Sequence, residues 1–86
     1  MDTIDALRKA DGLVGDVESD DFKVITHLLE KCEVIKDELF EWEGKGLHVS
    51  TTYRVDRNTK AILTYEVNSY RLRPVGGFTY KFTLLE

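Results

Sequence analysis

Ser19–Glu43, with the sequence SDDFKVITHLLEKCEVIKDELFEWE, is the stretch from which we predict the fold. On a helical wheel at about 100° per residue, its apolar residues fall on one side that is roughly 160° wide. A stripe of this width is typical of a helix that packs against a sheet, so we predict one long amphipathic helix here. The apolar side comprises Phe22, Val24, Ile25, Leu28, Leu29, Cys32, Ile35, Leu39, Phe40 and Trp42.

Both ends of this predicted helix carry local signals. Ser19 is a suitable N-cap, and Asp20 and Asp21 then lie in the first turn, where carboxylates interact favourably with the helix dipole. Gly44 follows the last periodic residue and can adopt the left-handed conformation that often ends a helix. At 1.5 Å per residue, the predicted helix would be roughly 36 Å long.

The opposite side of the predicted helix carries an acidic row. Like charges three or four residues apart on a helix cost a few tenths of a kcal/mol per pair, so helix stability does not explain the row. The row is a solvated surface, a site for Arg54, Arg71 and Arg73 of the same chain, or a binding surface for a basic partner. It comprises Glu30, Glu33, Asp37, Glu38 and Glu41.

The whole chain has the composition of a folded protein, with 86 residues, 42% of them hydrophobic and 33% charged. This length predicts a single domain over residues 1–86, and the periodicity described below makes it an α+β domain. The single cysteine precludes an internal disulfide and fits a cytoplasmic protein. We see no secretory signal pattern and no apolar run near the ~20 residues that a membrane helix needs, so we expect no membrane association.

Charge is distributed unevenly along the chain. Residues 16–43 hold ten acidic and three basic residues, whereas residues 44–86 hold three acidic and seven basic residues. The net charge of −4 therefore combines an acidic helical half with a basic second half.

The remaining elements are predicted from periodicity. Residues 3–13 form a short amphipathic helix that Thr3 caps and that ends at Gly12. After Gly44 the apolar period changes from 3.6 to 2, which indicates strands. Three strands are predicted, over Leu47–Val55, from Thr59 to Leu72, and from Gly77 onward, with Ala61, Leu63, Tyr65, Tyr80, Phe82 and Leu84 pointing inward.

The turns predict how the strands pair. A three-residue loop at Asp56–Asn58 pairs Tyr53 with Ala61 and Val49 with Tyr65. A similar loop at Pro74–Gly76 pairs Tyr70 with Tyr80 and Leu72 with Phe78. The first register points odd-numbered residues of the second strand inward, whereas the second register points even-numbered residues inward. We therefore predict a β-bulge near Asn68–Ser69, between the two parts of the strand.

The predicted fold is therefore α+β. A short N-terminal helix and one long amphipathic helix precede a three-stranded antiparallel β-meander, which packs on the long helix in the order ααβββ. An open strand edge and the exposed apolar residues Val34, Ile62 and Trp42 would suit a homodimer or another partner.

Catalytic and metal-binding patterns are weak in this sequence. Cys32 lies within the apolar stripe and is expected to be a buried core thiol. His27 and Glu30 lack the second histidine of a zinc motif, and carboxylates on a convex solvated helix neither converge on a cation nor form an acid–base pair. We therefore predict no enzyme activity, no metal and no cofactor. A deep cavity lined by Tyr53, Tyr65 and His48 would change that expectation.

The favoured functional hypothesis is a small non-enzymatic binding or regulatory protein. Its acidic helix face would contact a basic protein surface, including that of a nucleic-acid-binding protein. In that case the row would mimic phosphates and the protein would act as an inhibitor, as small phage proteins often do. The alternative hypothesis is a nucleic-acid-binding module that uses the basic half, with Arg54, Arg71, Arg73 and Lys81. It is disfavoured because the sheet aromatics are predicted to point inward.

Overall fold

The computed structural model describes residues 3–44, 46–67 and 77–86. Over these residues the chain forms two short helices and five strands, which are, in chain order, α1 (Thr3–Ala10), β1 (Val14–Asp16), α2 (Asp20–Leu29), β2 (Glu33–Trp42), β3 (Gly46–Arg54), β4 (Lys60–Glu66) and β5 (Thr79–Leu85). The strands form one antiparallel sheet with the order β1-β5-β4-β3-β2.

The prediction of one long helix from Ser19 to Glu43 is wrong. Helix α2 ends at Leu29, and Glu33–Trp42 instead forms a strand that pairs with β3. Glu33 lies opposite Arg54 at one end of this pairing, and Trp42 lies opposite Gly46 at the other. β-branched and aromatic residues are frequent in this segment, and they pack well on a pleated sheet. Gly44 adopts the expected left-handed conformation, with φ of 75°, but it lies in the β2–β3 turn rather than at a helix end.

Helix α2 retains the predicted N-terminus. The hydroxyl of Ser19 accepts a hydrogen bond of 3.2 Å from the Phe22 backbone N–H, which confirms Ser19 as the N-cap. Phe22, Ile25 and Leu29 are buried at the spacing of one helical face. The predicted helix is therefore correct for Asp20–Leu29, but Val24, which was assigned to its apolar side, is exposed.

The hairpin between β3 and β4 has the predicted register. Tyr53 lies opposite Ala61 and Val49 lies opposite Tyr65. In the turn, the Asn58 N–H donates a hydrogen bond of 2.8 Å to the Asp56 carboxylate. This local bond fixes the short loop, and the loop length in turn fixes which residues pair.

The predicted register between the last two strands is wrong. Tyr80 pairs with Tyr65 rather than with Tyr70, because β4 ends at Glu66. The predicted β-bulge at Asn68–Ser69 and the predicted turn at Pro74–Gly76 lie outside the described residues.

A short strand at the other edge, β1, was missed. Its residues Val14–Asp16 pair with Lys81–Thr79 of β5. The Gly12 N–H donates 2.9 Å to the Phe82 carbonyl, and the Phe82 N–H donates 3.0 Å to the Leu13 carbonyl. Gly12 has a φ of 84°, and this left-handed turn directs the chain from α1 into the sheet.

The core lies between the two helices and one face of the sheet, which we call the helix-covered face. The Phe22 ring packs edge-on against Tyr65 and Tyr80, with centroid distances of 5.9 and 5.1 Å. The other face, called the open face, has no helix over it among the described residues. The core comprises Leu7, Ala10, Val17, Phe22, Ile25, Leu29, Ala61, Leu63, Tyr80, Phe82 and Leu84.

Candidate protein-binding edge and aromatic hollow

Strand β2 forms one edge of the sheet, because within the described residues it pairs with β3 alone. All ten of its residues are exposed. An edge strand presents an outer row of backbone N–H and C=O groups with which a further strand can pair. The fold therefore offers a ten-residue template for strand addition.

Half of β2 is apolar even though the whole strand is exposed. Val34 is 54% exposed, Leu39 is 50% exposed and Trp42 is 48% exposed. Ile35 and Phe40 are also exposed. Neighbouring apolar side chains on an edge strand, unlike scattered ones, indicate a contact surface.

The register with β3 assigns the residues of β2 to the two faces. Asp37 lies opposite Thr51, which lies opposite the buried Leu63, so Asp37 is on the helix-covered face. Its Oδ1 accepts a hydrogen bond of 3.0 Å from the Thr51 hydroxyl. A register shift between Val34 and Lys36 marks a β-bulge, after which side chains alternate regularly between the faces.

The five acidic residues of the predicted row do not share one surface. Glu30 is the C-cap of α2. In β2, Glu33 and Glu38 are assigned to the open face, whereas Asp37 and Glu41 are assigned to the helix-covered face. The prediction that these carboxylates line one side of a helix is wrong, because strand geometry divides them between two faces.

β2 nevertheless concentrates negative charge. It contains four acidic residues and one lysine, a net charge of −3. The Lys36 ammonium lies 2.7 Å from the Glu38 carboxylate, which neutralises one of the four. In the part of the chain that the structure describes, Glu33 and Glu41 take part in no ion pair. The edge is thus both apolar and acidic.

The residues of the alternative nucleic-acid site are only partly placed. Arg54 lies opposite Glu33 at the end of β3, and Lys81 lies on the open face of β5 opposite Thr64. Arg71 and Arg73 lie outside the described residues. The structure therefore does not bring the four basic residues together at one described site.

The open face carries a hollow of about 760 Å³ at the Trp42 end of β2. We call it the aromatic hollow, because Phe40, Trp42 and His48 line its β2–β3 side. The Phe40 and His48 rings are stacked at 5.5 Å with 20° between their planes, and Trp42 meets His48 edge-on at 5.2 Å. His48 is buried between the two larger rings, which both remain exposed.

The imidazole orientation is fixed by the backbone. The His48 Nδ1 lies 3.2 Å from the Gly46 carbonyl oxygen. Because a carbonyl only accepts, Nδ1 carries the proton of this contact. The ring is therefore held in one orientation, stacked on Phe40 and edge-on to Trp42.

Polar side chains of β4 and β5 line the part of the hollow away from β2. Glu66 lies opposite His48, and its carboxylate accepts hydrogen bonds from the Thr79 hydroxyl at 2.6 Å and from the Thr79 N–H at 3.1 Å. These two bonds favour the charged carboxylate and hold the pKa of Glu66 below its usual value. Lys81 and Glu43 also line the hollow.

Sequence reasoning missed the aromatic hollow. Phe40 and Trp42 were assigned to the apolar side of a helix, away from His48. Gly44 and Gly46 lie between two β-rich runs, and this pattern could have indicated a hairpin. A hairpin at this position places the three rings side by side.

The other candidate groups do not form a chemical site. Cys32 is half-buried against the core rather than enclosed by it, and burial raises the pKa of its thiol. His27 Nδ1 lies 3.5 Å from the Glu30 carboxylate on the exposed end of α2. Among the described residues, no three or more His, Cys, Asp and Glu side chains are grouped to hold a metal ion.

Neither described helix, of eight and ten residues, is long and apolar enough to cross a membrane. Comparison with protein-family models, with curated proteins and with solved structures finds no match for this chain.

Proposed function

We propose that this protein is a non-enzymatic binding protein whose edge strand β2 pairs with an extended, basic segment of another protein. The observation that carries the proposal is that a ten-residue edge strand is exposed along its whole length while half of it is apolar. Addition of a strand would pair the outer backbone groups and cover apolar side chains on both faces. The backbone supplies affinity, and the alternating side chains supply specificity.

Charge determines which kind of segment fits. Two copies of β2 would bring together two strands of charge −3 each, and like charges on paired strands are destabilising. A homodimer through this edge is therefore the less favourable arrangement. A basic segment gains from Glu33 and Glu41, which have no ion pair among the described residues.

Regulation by occupancy follows from this mode of binding. A basic segment that is paired with β2 cannot make its other contacts at the same time. The protein would therefore inhibit the interaction between that segment and its normal partner. Where the segment normally contacts nucleic acid, the acidic edge would occupy the place of the phosphates. This retains the inhibitor hypothesis with carboxylates presented by a strand edge.

The proposal is tested by selecting binders from a displayed library of random ten-residue peptides. We expect enriched peptides to alternate apolar residues with lysine or arginine, and to slow hydrogen exchange of the β2 amides. A selection dominated by acidic or uncharged peptides, or protection confined to other elements, would contradict the proposal.

A charge-reversed pair gives the matched comparison. Glu33→Lys with Glu41→Lys alters two carboxylates that have no ion pair among the described residues, and it spares Asp37, which is bonded to Thr51. Glu18→Lys with Asp20→Lys makes the same charge change away from β2. We expect selected peptides to lose at least tenfold in affinity for the first variant only. Equal losses of affinity in both variants would indicate a general charge effect and would contradict the proposal.

Binding of single-stranded nucleic acid is the second candidate function. It is favoured by one observation, the exposed Phe40 and Trp42 rings on the same open face as Lys81. It is disfavoured by Glu43 and Glu66 in the same hollow and by the net charge of −4. A salt-dependent change in Trp42 emission with a single-stranded oligonucleotide would support it, and no change at low salt would eliminate it.

A further inference from the structure

The aromatic hollow has a composition that recognises cations. Phe40 and Trp42 are both partly exposed, although Phe40 also stacks on His48, and the quadrupole of an aromatic ring attracts a cation placed over an accessible face. Among the described residues that line the hollow, the acidic Glu43 and Glu66 outnumber the single lysine, Lys81, while the side chain of Glu41 is assigned to the other face. Electron-rich rings and carboxylates together favour a positively charged occupant over a neutral or anionic one.

The position of the hollow relates it to the edge strand. Phe40 and Trp42 belong to β2, and both side chains are on the open face. A strand added beside β2 would place alternate side chains on that face, about 5 Å from the residues opposite them. A long side chain near the Trp42 end would therefore extend directly over the rings.

We infer that the aromatic hollow receives an arginine side chain of the segment that pairs with β2, an inference that rests on the proposed function for the source of that arginine. A guanidinium group is planar and stacks on aromatic faces, whereas an ammonium group is compact and strongly hydrated. Its N–H groups can also donate to the carboxylates of Glu43 and Glu66 while the plane lies on Phe40 or Trp42.

Trp42 is the only tryptophan of the chain, so its emission reports this hollow alone. The probe is N-acetyl-arginine methylamide at constant ionic strength, and the control is its citrulline counterpart, which has nearly the same shape but no charge. We expect saturable quenching by the arginine compound at millimolar concentration and binding about two- to fivefold weaker for citrulline. Equal binding of the two compounds would overturn the inference, and equal binding of the lysine compound would overturn the choice of a guanidinium.

Variants of the charged side chains locate the bound compound. We expect Glu43→Gln to weaken binding of the arginine compound and Lys81→Gln to strengthen it, each about twofold. Lys60→Gln removes a cation at the far end of the same face and should leave binding unchanged. A titration that is insensitive to Glu43 and Lys81, or equally sensitive to Lys60, would place the compound elsewhere and would overturn the inference.

This measurement fails independently of the proposed function. If selected peptides protect β2 but exchanging their arginines for citrulline leaves Trp42 emission unchanged, the inference is wrong and the edge proposal stands. If the arginine compound binds the hollow but no peptide pairs with β2, the edge proposal is wrong while guanidinium recognition in the hollow is supported.

Discussion

The hydroxyl of Thr51 donates a hydrogen bond of 3.0 Å to the carboxylate of Asp37 on the neighbouring strand. Thr51 is buried, and Asp37 lies directly opposite it on the exposed edge strand β2. The bond therefore ties the centre of the acidic edge to the interior of the sheet. It also separates Asp37, which has this structural role, from Glu33 and Glu41, which remain available to a partner.

Thr51→Val should reduce the free energy of unfolding by about 0.5–1 kcal/mol, because it removes the donor while keeping the shape of the side chain. It should also accelerate hydrogen exchange of the β2 amides, since the edge strand loses one of its bonds to β3. Thr52→Val is the control, because Thr52 is on the open face and its hydroxyl makes no hydrogen bond with described residues. Equal effects of the two substitutions in urea denaturation would contradict this role of Thr51.

The core prediction concerns Leu63, which is almost fully enclosed in β4 under the two helices. Leu63→Ala leaves a cavity and should cost about 2–5 kcal/mol of unfolding free energy. Leu85→Ala makes the same chemical change at an exposed position of β5 and should cost less than about 1 kcal/mol. Chemical denaturation followed by circular dichroism distinguishes the two. Similar costs would mean that the core does not lie where the structure places it.

The N-cap prediction concerns Ser19, whose hydroxyl accepts the Phe22 N–H. Ser19→Ala should reduce the unfolding free energy by about 1 kcal/mol, because one N–H at the start of α2 loses its partner. Ser19→Asp restores an acceptor and should restore most of that stability, as measured by thermal unfolding. An aspartate variant no more stable than the alanine variant would count against the capping role.

The pH prediction concerns Glu66, whose pKa is lowered by hydrogen bonds from Thr79. A carboxyl group with a lower pKa in the folded than in the unfolded state stabilises the fold above its unfolded pKa, and this contribution disappears as pH falls through the folded pKa. Glu66→Gln should therefore be less stable than the wild type at pH 7, and the difference should narrow as the pH decreases below about 4.5, the usual value for this group.

Thr79→Val provides the complementary test from the donor side. It removes the hydroxyl bond of 2.6 Å to Glu66 but keeps the backbone bond of 3.1 Å. We expect a pH dependence of stability between those of the wild type and Glu66→Gln. A constant stability difference between wild type and Glu66→Gln from pH 7 to pH 3 would show that the Thr79 bonds do not favour the charged form.

Features governed by short-range geometry could be predicted from the sequence. The Ser19 cap, the loop at Asp56–Asn58 and the inward set Ala61, Leu63 and Tyr65 all follow from neighbours a few residues apart. A hydroxyl that can reach an N–H three residues later needs no information from the rest of the chain. A three-residue loop likewise fixes the pairing of the strands that it joins.

The identity of the binding surface could not be predicted in this way. In Glu33–Trp42 the apolar residues fit one side of a helix, and its β-branched and aromatic residues also fit a strand. Only the pairing with β3, in which Glu33 lies opposite Arg54 and Trp42 lies opposite Gly46, makes this segment a strand rather than a helix. That choice divides the acidic residues between two faces and brings Phe40 and Trp42 beside His48.

By itself, therefore, the sequence determined a basic, β-rich second half, an acidic first half and the register of its β3–β4 hairpin. The tertiary structure decided that the acidic half ends in an edge strand, and with it the aromatic hollow. The physical reason is that periodicity reports only which residues avoid water, whereas backbone hydrogen bonds to a distant strand determine whether those residues form a helix or a sheet edge.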